Sequence, residues 1–441
     1  MCISRRKFLK FGLQSLVFLG LDFLFPQKLR PRAEAAKILE NGERQEQNYL
    51  LNLPVKHLRA MITKDVSKEA FIMFQSDRPL KNPQVEIGRS SEIGLNWVNA
   101  KVEKLTLGGA TVYIYSAKIS GLVENAVYRY RAVDDDAASE WGKIVIPSKE
   151  KVEAIIVTDS QCGGNYSDWY YTFNSACERH NNANLIINLG DIVDNGEALW
   201  HFEAWYKGIE HFLRKRIFAP VIGNHECYDL KWKYFFPRGF LAEFKTPKNY
   251  SENFEGYYYS FDYGEAHFIA INNNFLEIDE CKNGLLEEEK KWIYEDVKST
   301  QKPWKIVLMH KDILAYNEYN PYTKSYGGLN DIAHIFMPIF DELKIDLVLT
   351  GHMHVYRNRG HIFNFSPNDF GPYYILCGLA GNARYDVPKD EDFDRVMVKG
   401  KETDNYLHLV ITKDELNIVC YLPNGKVIDD VLLKKQIKVT A

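Results

Sequence analysis

Between residues 154 and 349 one rhythm recurs: an apolar run of three to six residues, a polar break, then an amphipathic stretch. The runs are Ala154–Val157, Leu185–Leu189, Ile217–Ile222, Phe268–Ile271, Ile306–Met309 and Leu347–Leu349. The amphipathic stretches include Trp169–His180, Leu199–Arg214, Leu285–Lys298 and Asp331–Leu343. Runs this short read as buried strands, and strands alternating with helices build a layered α/β domain. Five of the six runs lead straight into metal-type side chains. They end in Thr158-Asp159-Ser160-Gln161, Gly190-Asp191-Ile192-Val193-Asp194, Gly223-Asn224-His225-Glu226, His310, and Gly351-His352-Met353-His354. Open α/β sheets bind ligands beyond the carboxyl ends of their strands, so these five ends are expected to converge on one point.

The segment in front follows a different period. From Leu51 to Pro147 apolar and polar residues alternate, as in Ala70–Phe74 and Thr111–Tyr115. Turn signals separate the runs at Asp77-Arg78-Pro79, Gly108-Gly109 and Asp134-Asp135-Asp136. Leu122 is followed six residues on by Tyr128 at the entry to an alternating strand, which resembles the tyrosine corner of fibronectin type III-like sandwiches. An all-β sandwich is expected here, with a structural or positioning role. From Tyr406 to Leu433 the pattern returns to hairpins, with turns at Lys413-Asp414 and Asn424-Gly425.

At 441 residues the chain has room for two or three domains, and 46% apolar with 26% charged residues excludes global disorder. The net charge of −4 argues against a general nucleic-acid binder. The N-terminus has the order of a secretory signal: a basic Ser4-Arg5-Arg6-Lys7-Phe8-Leu9-Lys10, an apolar Phe8–Phe25, then Ala33-Glu34-Ala35. Lys10, Gln14 and Asp22 make the apolar part a poor spanning helix. Its first part closely resembles the twin-arginine export signal of bacteria, which implies the twin-arginine machinery as a partner and a periplasmic or extracellular destination. An uncleaved leader would instead tether the protein to the membrane. The division expected is therefore a leader over 1–35, a linker over 36–49, a β-sandwich over 50–148 and an α/β domain over 149–437. Six cysteines (162, 177, 227, 281, 377 and 420) would remain after cleavage, and fifteen disulfide connectivities would be open to them.

The ordered set of Asp159, Gly190-Asp191-x-x-Asp194, Gly223-Asn224-His225-Glu226, His310 and Gly351-His352-x-His354 resembles the calcineurin-like metallophosphoesterase family. The preceding sandwich and Gly371–Gly378 behind are similar to its purple acid phosphatase branch. The resemblance implies an αββα sandwich for the second domain and a binuclear phosphoesterase acting on small phosphomonoesters or phosphodiesters. It makes Asp191 the bridge between two divalent ions, with Asp159 and His354 on one and Asn224, His310 and His352 on the other. The mixed oxygen and nitrogen donors suit Mn, Fe or Zn. Two cations about 3.5–4 Å apart would make a hydroxide of a bridging water to attack phosphorus, and His225 would donate to the departing oxygen.

Two positions depart from the family pattern. Asp159-Ser160-Gln161 stands where many members have D-x-H, and Asp194 stands where purple acid phosphatases have the Tyr that colours them. Gln161 and Asp194 are therefore the candidates to complete the first ion through an oxygen. The competing reading is a non-catalytic binding or structural protein in which a degenerate first metal site serves stability. His180, His201, His211, His267, His334 and His361 lack any such setting and read as surface or packing residues. The Tyr-rich loop from Tyr316 to Gly328 follows His310 and is either a wall of the substrate cleft or an ordinary surface loop.

Overall fold

The computed structural model describes residues 51–91, 95–315, 319–320, 324–385, 389, 392–398 and 404–435. The leader, the linker and residues 316–318 and 321–323 of the Tyr-rich loop lie outside the described residues. Among the described residues no helix is long and apolar enough to cross a membrane.

The N-terminal region supplies β1 (Lys56–Met61), β2 (Glu69–Ser76), β3 (Gln84–Arg89), β4 (Asn96–Asn99), β5 (Lys101–Leu107), β6 (Ala110–Ser120), β7 (Ala126–Asp134) and β8 (Gly142–Ile146). Strands β4, β3, β7 and β8 hydrogen-bond in one sheet; β1, β2, β6 and β5 pair in that order in the other. Val85, Ile87, Tyr130 and Ile144 pack against Ala60, Ile72, Phe74 and Ala117 between them. Each of these is the inward member of an alternating pair, so the period of two in the sequence becomes the sandwich core. Tyr128 is indeed tied back: its hydroxyl accepts from the Val123 N–H at 3.1 Å.

The second region contains β9 (Lys151–Val157), α1 (Ser167–Arg179), β10 (Leu185–Asn188), α2 (Leu199–Lys207), β11 (Ile217–Pro220), β12 (Tyr259–Tyr263), β13 (Ala266–Ala270), α3 (Leu285–Ser299), β14 (Trp304–Leu308), α4 (Asp331–Leu343), β15 (Leu347–Thr350), β16 (Arg357–Phe363), β17 (Tyr373–Leu376), β18 (Tyr406–Thr412), β19 (Glu415–Tyr421) and β20 (Val427–Lys434). Two sheets face each other, one ordered β20-β19-β18-β9-β10-β11 and the other β12-β13-β14-β15-β17-β16. Ile156, Ile187, Ala219, Phe268, Leu308 and Leu349 fill the space between the sheets. Their neighbours Ile155, Ile186, Phe218, Ile269, Val307 and Val348 face the helices, packing with Trp169, Trp205, Ile293 and Phe336. Both faces of these strands are covered, which is why they read as unbroken apolar runs.

Three features differ from the sequence reading or go beyond it. The two regions share a sheet: β11 pairs in parallel with β1, Ile217 opposite Ala60 and Phe218 opposite Met61. The Leu199–Arg214 stretch is two helices, broken where Gly208 lies so close to the Tyr170 ring that no Cβ would fit. Strand β16, on which the sequence reading is silent, begins Arg357-Asn358-Arg359, and both arginines are buried. Arg359 is paired with Asp312 at 2.6 Å and Arg357 with Asp394. The six described cysteines are all free thiols.

Candidate metal centre

The ends of β9, β10, β14 and β15, with the segment just past β11, come together at one edge of the two facing sheets. Asp191, His310 and His352 form one group of potential ligands, and Asp159, Asp191 and His354 a second; within each, the ligand atoms lie within 4.8 Å of one another. Asp191 belongs to both, the arrangement a shared carboxylate needs to hold two cations side by side. His310 Nε2 is 3.1 Å from Asp191 Oδ2, and His354 Nε2 is 3.2 Å from Asp159 Oδ1. Asn224 joins the first group, its Oδ1 standing 3.1 Å from His310 Nε2.

The backbone is bent to achieve this. Asp159, Asp191, His352 and His354 all have positive φ, at 51°, 51°, 78° and 54°. Left-handed non-glycine residues are uncommon, and four around one point mark strain held in place by the surrounding fold. Gly190, Gly223 and Gly351 are required here: a Cβ on Gly190 would stand 2.7 Å from His310 Nδ1, and those on Gly223 and Gly351 would collide with Asp191 and Thr158. The ligand rings are oriented from behind. His310 Nδ1 donates to the Leu189 carbonyl at 2.9 Å and His354 Nδ1 to that of Ala383 at 2.5 Å, which leaves each Nε2 facing the centre.

Among the described residues, two buried oxygens in the centre have no hydrogen-bond partner, Asp159 Oδ1 and Gln161 Oε1. Orphaned acceptors beside a shared carboxylate and imidazole nitrogens are the donor set of a borderline divalent ion. Burial alone would raise the Asp191 carboxyl, yet His310 and His225 hold it well below the ordinary carboxylate range. Burial likewise works against charge on His310, but Asp191 outweighs it and raises the imidazole to about 9. Burial and the neighbouring His310 lower His352 to about 3. A pocket that draws a proton onto one imidazole is one where a cation would compete for the same place.

A family model described as calcineurin-like phosphoesterase matches residues 154–356, and one described as purple acid phosphatase, N-terminal domain, matches residues 55–145. The chain therefore carries a region that matches the calcineurin-like phosphoesterase family behind one that matches the purple acid phosphatase N-terminal domain. It is 22% identical to purple acid phosphatase 15 of Arabidopsis thaliana over 302 residues, 61% of this chain and 54% of that one. It is 24% identical to phosphoenolpyruvate phosphatase of Allium cepa over 297 residues, 61% of this chain and 58% of that one. The chain thus spans less than two thirds of the length of these relatives. Among solved structures, a purple acid phosphatase from yellow lupin superposes with a TM-score of 0.71 at 17% identity, covering 87% of this chain and 75% of that one. PhoD superposes with a TM-score of 0.56 at 12% identity, covering 87% and 92%. These likenesses carry the fold, a β-sandwich followed by the two-sheet phosphoesterase domain.

The remaining candidates in the phosphoesterase domain fall into place around its centre. Gln161 Nε2 is 3.4 Å from Asp191 Oδ2 and 3.3 Å from His354 Nε2, so its amide lies where a further ligand would act. Asp194 is drawn elsewhere. Its Oδ2 accepts from the N–H groups of Cys162 (3.2 Å) and Gly163 (2.7 Å) and from the Tyr166 hydroxyl (3.1 Å), with His201 Nδ1 at 3.1 Å. Four donors on one oxygen account for that carboxylate without an ion, and Asp194 is in neither ligand group. His225 is a quarter exposed at the rim; its Nδ1 donates to the Asp194 carbonyl at 2.8 Å and its Nε2 is 3.9 Å from Asp191 Oδ2.

Glu226 is the residue that sequence reasoning passed over. Its wholly buried carboxylate accepts four backbone N–H groups: Asp191 (3.0 Å) and Gly223 (2.8 Å) on one oxygen, Ile192 (2.8 Å) and Val193 (3.2 Å) on the other. It clamps the loop after β10 to the loop after β11. Burial and the nearby Asp191 push its carboxyl up to about 7, against the pull of those N–H groups. The signal available was an acid inside the Gly223-Asn224-His225-Glu226 run itself, one residue past His225 in the short turn beyond β11.

Proposed function

We propose that the protein is an exported metal-dependent phosphatase that hydrolyses small phosphate esters at the Asp191 centre. The observation that carries this is Asp191 itself, shared by two ligand groups and placed beside His225. Asp159, Gln161 and His354 would hold one divalent ion and Asn224, His310 and His352 the other, with Asp191 between. Mn, Fe or Zn suits these donors. When bound, such ions supply the positive charge that polarises phosphoryl oxygens and lowers the pKa of water. The chain's own residues do the rest. Asp191 and Asp159 would hold the cations that take the phosphate end, and the backbone bends at Asp159, Asp191, His352 and His354 hold the ligands in place before substrate arrives. His225, with Nδ1 committed to a carbonyl, presents Nε2 to the leaving oxygen as donor.

A colourless protein is expected, because Asp194 replaces the coloured phenolate and is engaged by Cys162, Gly163, Tyr166 and His201. Export rests on the Arg5-Arg6 leader and is checked by whether an Arg5→Lys, Arg6→Lys variant stays in the cytosol at full length. The decisive experiment compares two variants by metal analysis and turnover of phenyl phosphate. Asp191→Ala should lose both ions. His225→Ala should keep them and lose turnover by about 10²–10⁴. A metal-free His225→Ala protein would show that His225 is a ligand and refute its role as donor. A metal-loaded wild type inert on every mono- and diester would favour the binding-protein reading.

A further inference from the structure

At the rim beside His225 stands an aromatic group that the metal chemistry does not use. Trp232 is 58% exposed, an unfavourable setting for an indole. Its backbone is left-handed, φ 60°, unfavourable again for a bulky residue. The loop is built to keep it there. Asp229 Oδ1 accepts from the N–H groups of Lys231 at 2.7 Å and Lys233 at 2.9 Å, the Trp232 N–H donates to the Asp229 carbonyl at 2.9 Å, and Tyr228 bridges antiparallel to Tyr234. Tyr228 stacks on Tyr234, 5.5 Å between centroids, and packs against Trp232 at 5.8 Å. Both Tyr228 and Trp232 meet the His225 imidazole edge-on, at 5.8 and 6.1 Å. Outliers of exposure and of backbone in one residue, braced by the loop around it, point to use rather than packing.

We propose that Trp232 is the stacking platform for the leaving group, and that the site selects phosphate esters whose leaving group carries a planar ring. This rests on the phosphatase reading above. The placement follows from chemistry: His225 addresses the leaving oxygen, so whatever is attached to that oxygen extends past His225 to the indole. An aryl or heteroaryl ring there finds a π-face, whereas a glycerol or sugar leaving group leaves it in water.

The test uses full-length, metal-loaded protein. Turnover of phenyl phosphate and glycerol 2-phosphate is compared in wild type, Trp232→Ala and Trp232→Phe, and binding of phenylphosphonate and methylphosphonate is measured by calorimetry. Trp232→Ala should cut the phenyl-to-glycerol ratio of kcat/KM, and the affinity for phenylphosphonate, by about 10-fold each; Trp232→Phe should restore most of both. An unchanged ratio, or equal losses on both esters, overturns the proposal. So does a shift from dimer to monomer in Trp232→Ala with the ring preference intact, which would make Trp232 a subunit contact. If wild type hydrolyses neither ester, the phosphatase reading fails, and calorimetry still reports separately whether the rim prefers a ring.

Discussion

Replacing Glu226 with Gln changes almost no volume but should loosen the whole metal centre. Each carboxylate oxygen of Glu226 accepts two backbone N–H groups. Whichever way a glutamine amide turns, its NH₂ faces two N–H donors, and those two lose their acceptor in a site with no exposure. A buried donor left unsatisfied costs about 1–3 kcal/mol, so the substitution should destabilise by about 2–6 kcal/mol. That is a large part of the roughly 5–15 kcal/mol that stabilises a typical domain. One orientation frees the N–H groups of Asp191 and Gly223 and the other those of Ile192 and Val193, so in either case the cost falls on the loop that carries the shared ligand. Loss of such support typically weakens metal affinity by about 10- to 100-fold. Urea unfolding in excess chelator isolates the hydrogen-bond loss from the metal's own stabilisation, and competition against a chelator of known affinity reads the metal. A Glu226→Gln protein within 1 kcal/mol of wild type (an order-of-magnitude threshold) that also binds metal equally would refute the reasoning, since the four N–H groups would then have no need of the carboxylate.

His267 on β13 bridges Asp262 at 2.7 Å and Asp296 of α3 at 2.8 Å. Burial opposes its charge, but the two carboxylates prevail and raise it to about 9. A raised imidazole stabilises fully below the unfolded value near 6.5 and loses that contribution as pH rises through about 9. The stability gap between wild type and His267→Gln should therefore be about 2–3 kcal/mol at pH 6 and should shrink by pH 9.5; a gap that is flat with pH in urea titrations would rule this out. Arg59 of β1 makes a buried pair with Glu243 of the phosphoesterase domain, 3.1 Å apart. Expressed from residue 149 onward, the phosphoesterase domain should be insoluble or molten by near-ultraviolet circular dichroism, because β11 loses its partner strand and Glu243 its cation. A cooperatively unfolding fragment would show the sandwich to be dispensable for folding.

What the chain determines locally was legible without coordinates. Apolar runs bounded by glycine and polar residues made strands, the 3.6-residue pattern made α1, α3 and α4, and the order of Asp159, Asp191, Asn224, His310, His352 and His354 at strand ends announced a centre. Those are short-range signals, set by periodicity and by the rule that ligands gather beyond strand ends. Tertiary structure decided everything that depends on which distant partner a polar group meets. Asp191 and Asp194 look alike three residues apart, yet one is shared by two ligand groups and the other is consumed by Cys162, Gly163, Tyr166 and His201. Glu226 became a backbone clamp only because the loops after β10 and β11 lie side by side, and Arg357 and Arg359 became core residues only because Asp394 and Asp312 reach them. The joining of β1 to β11 was equally hidden: strand pairing across some 150 residues depends on register and burial between segments, and neither is encoded in the local alternation of either strand.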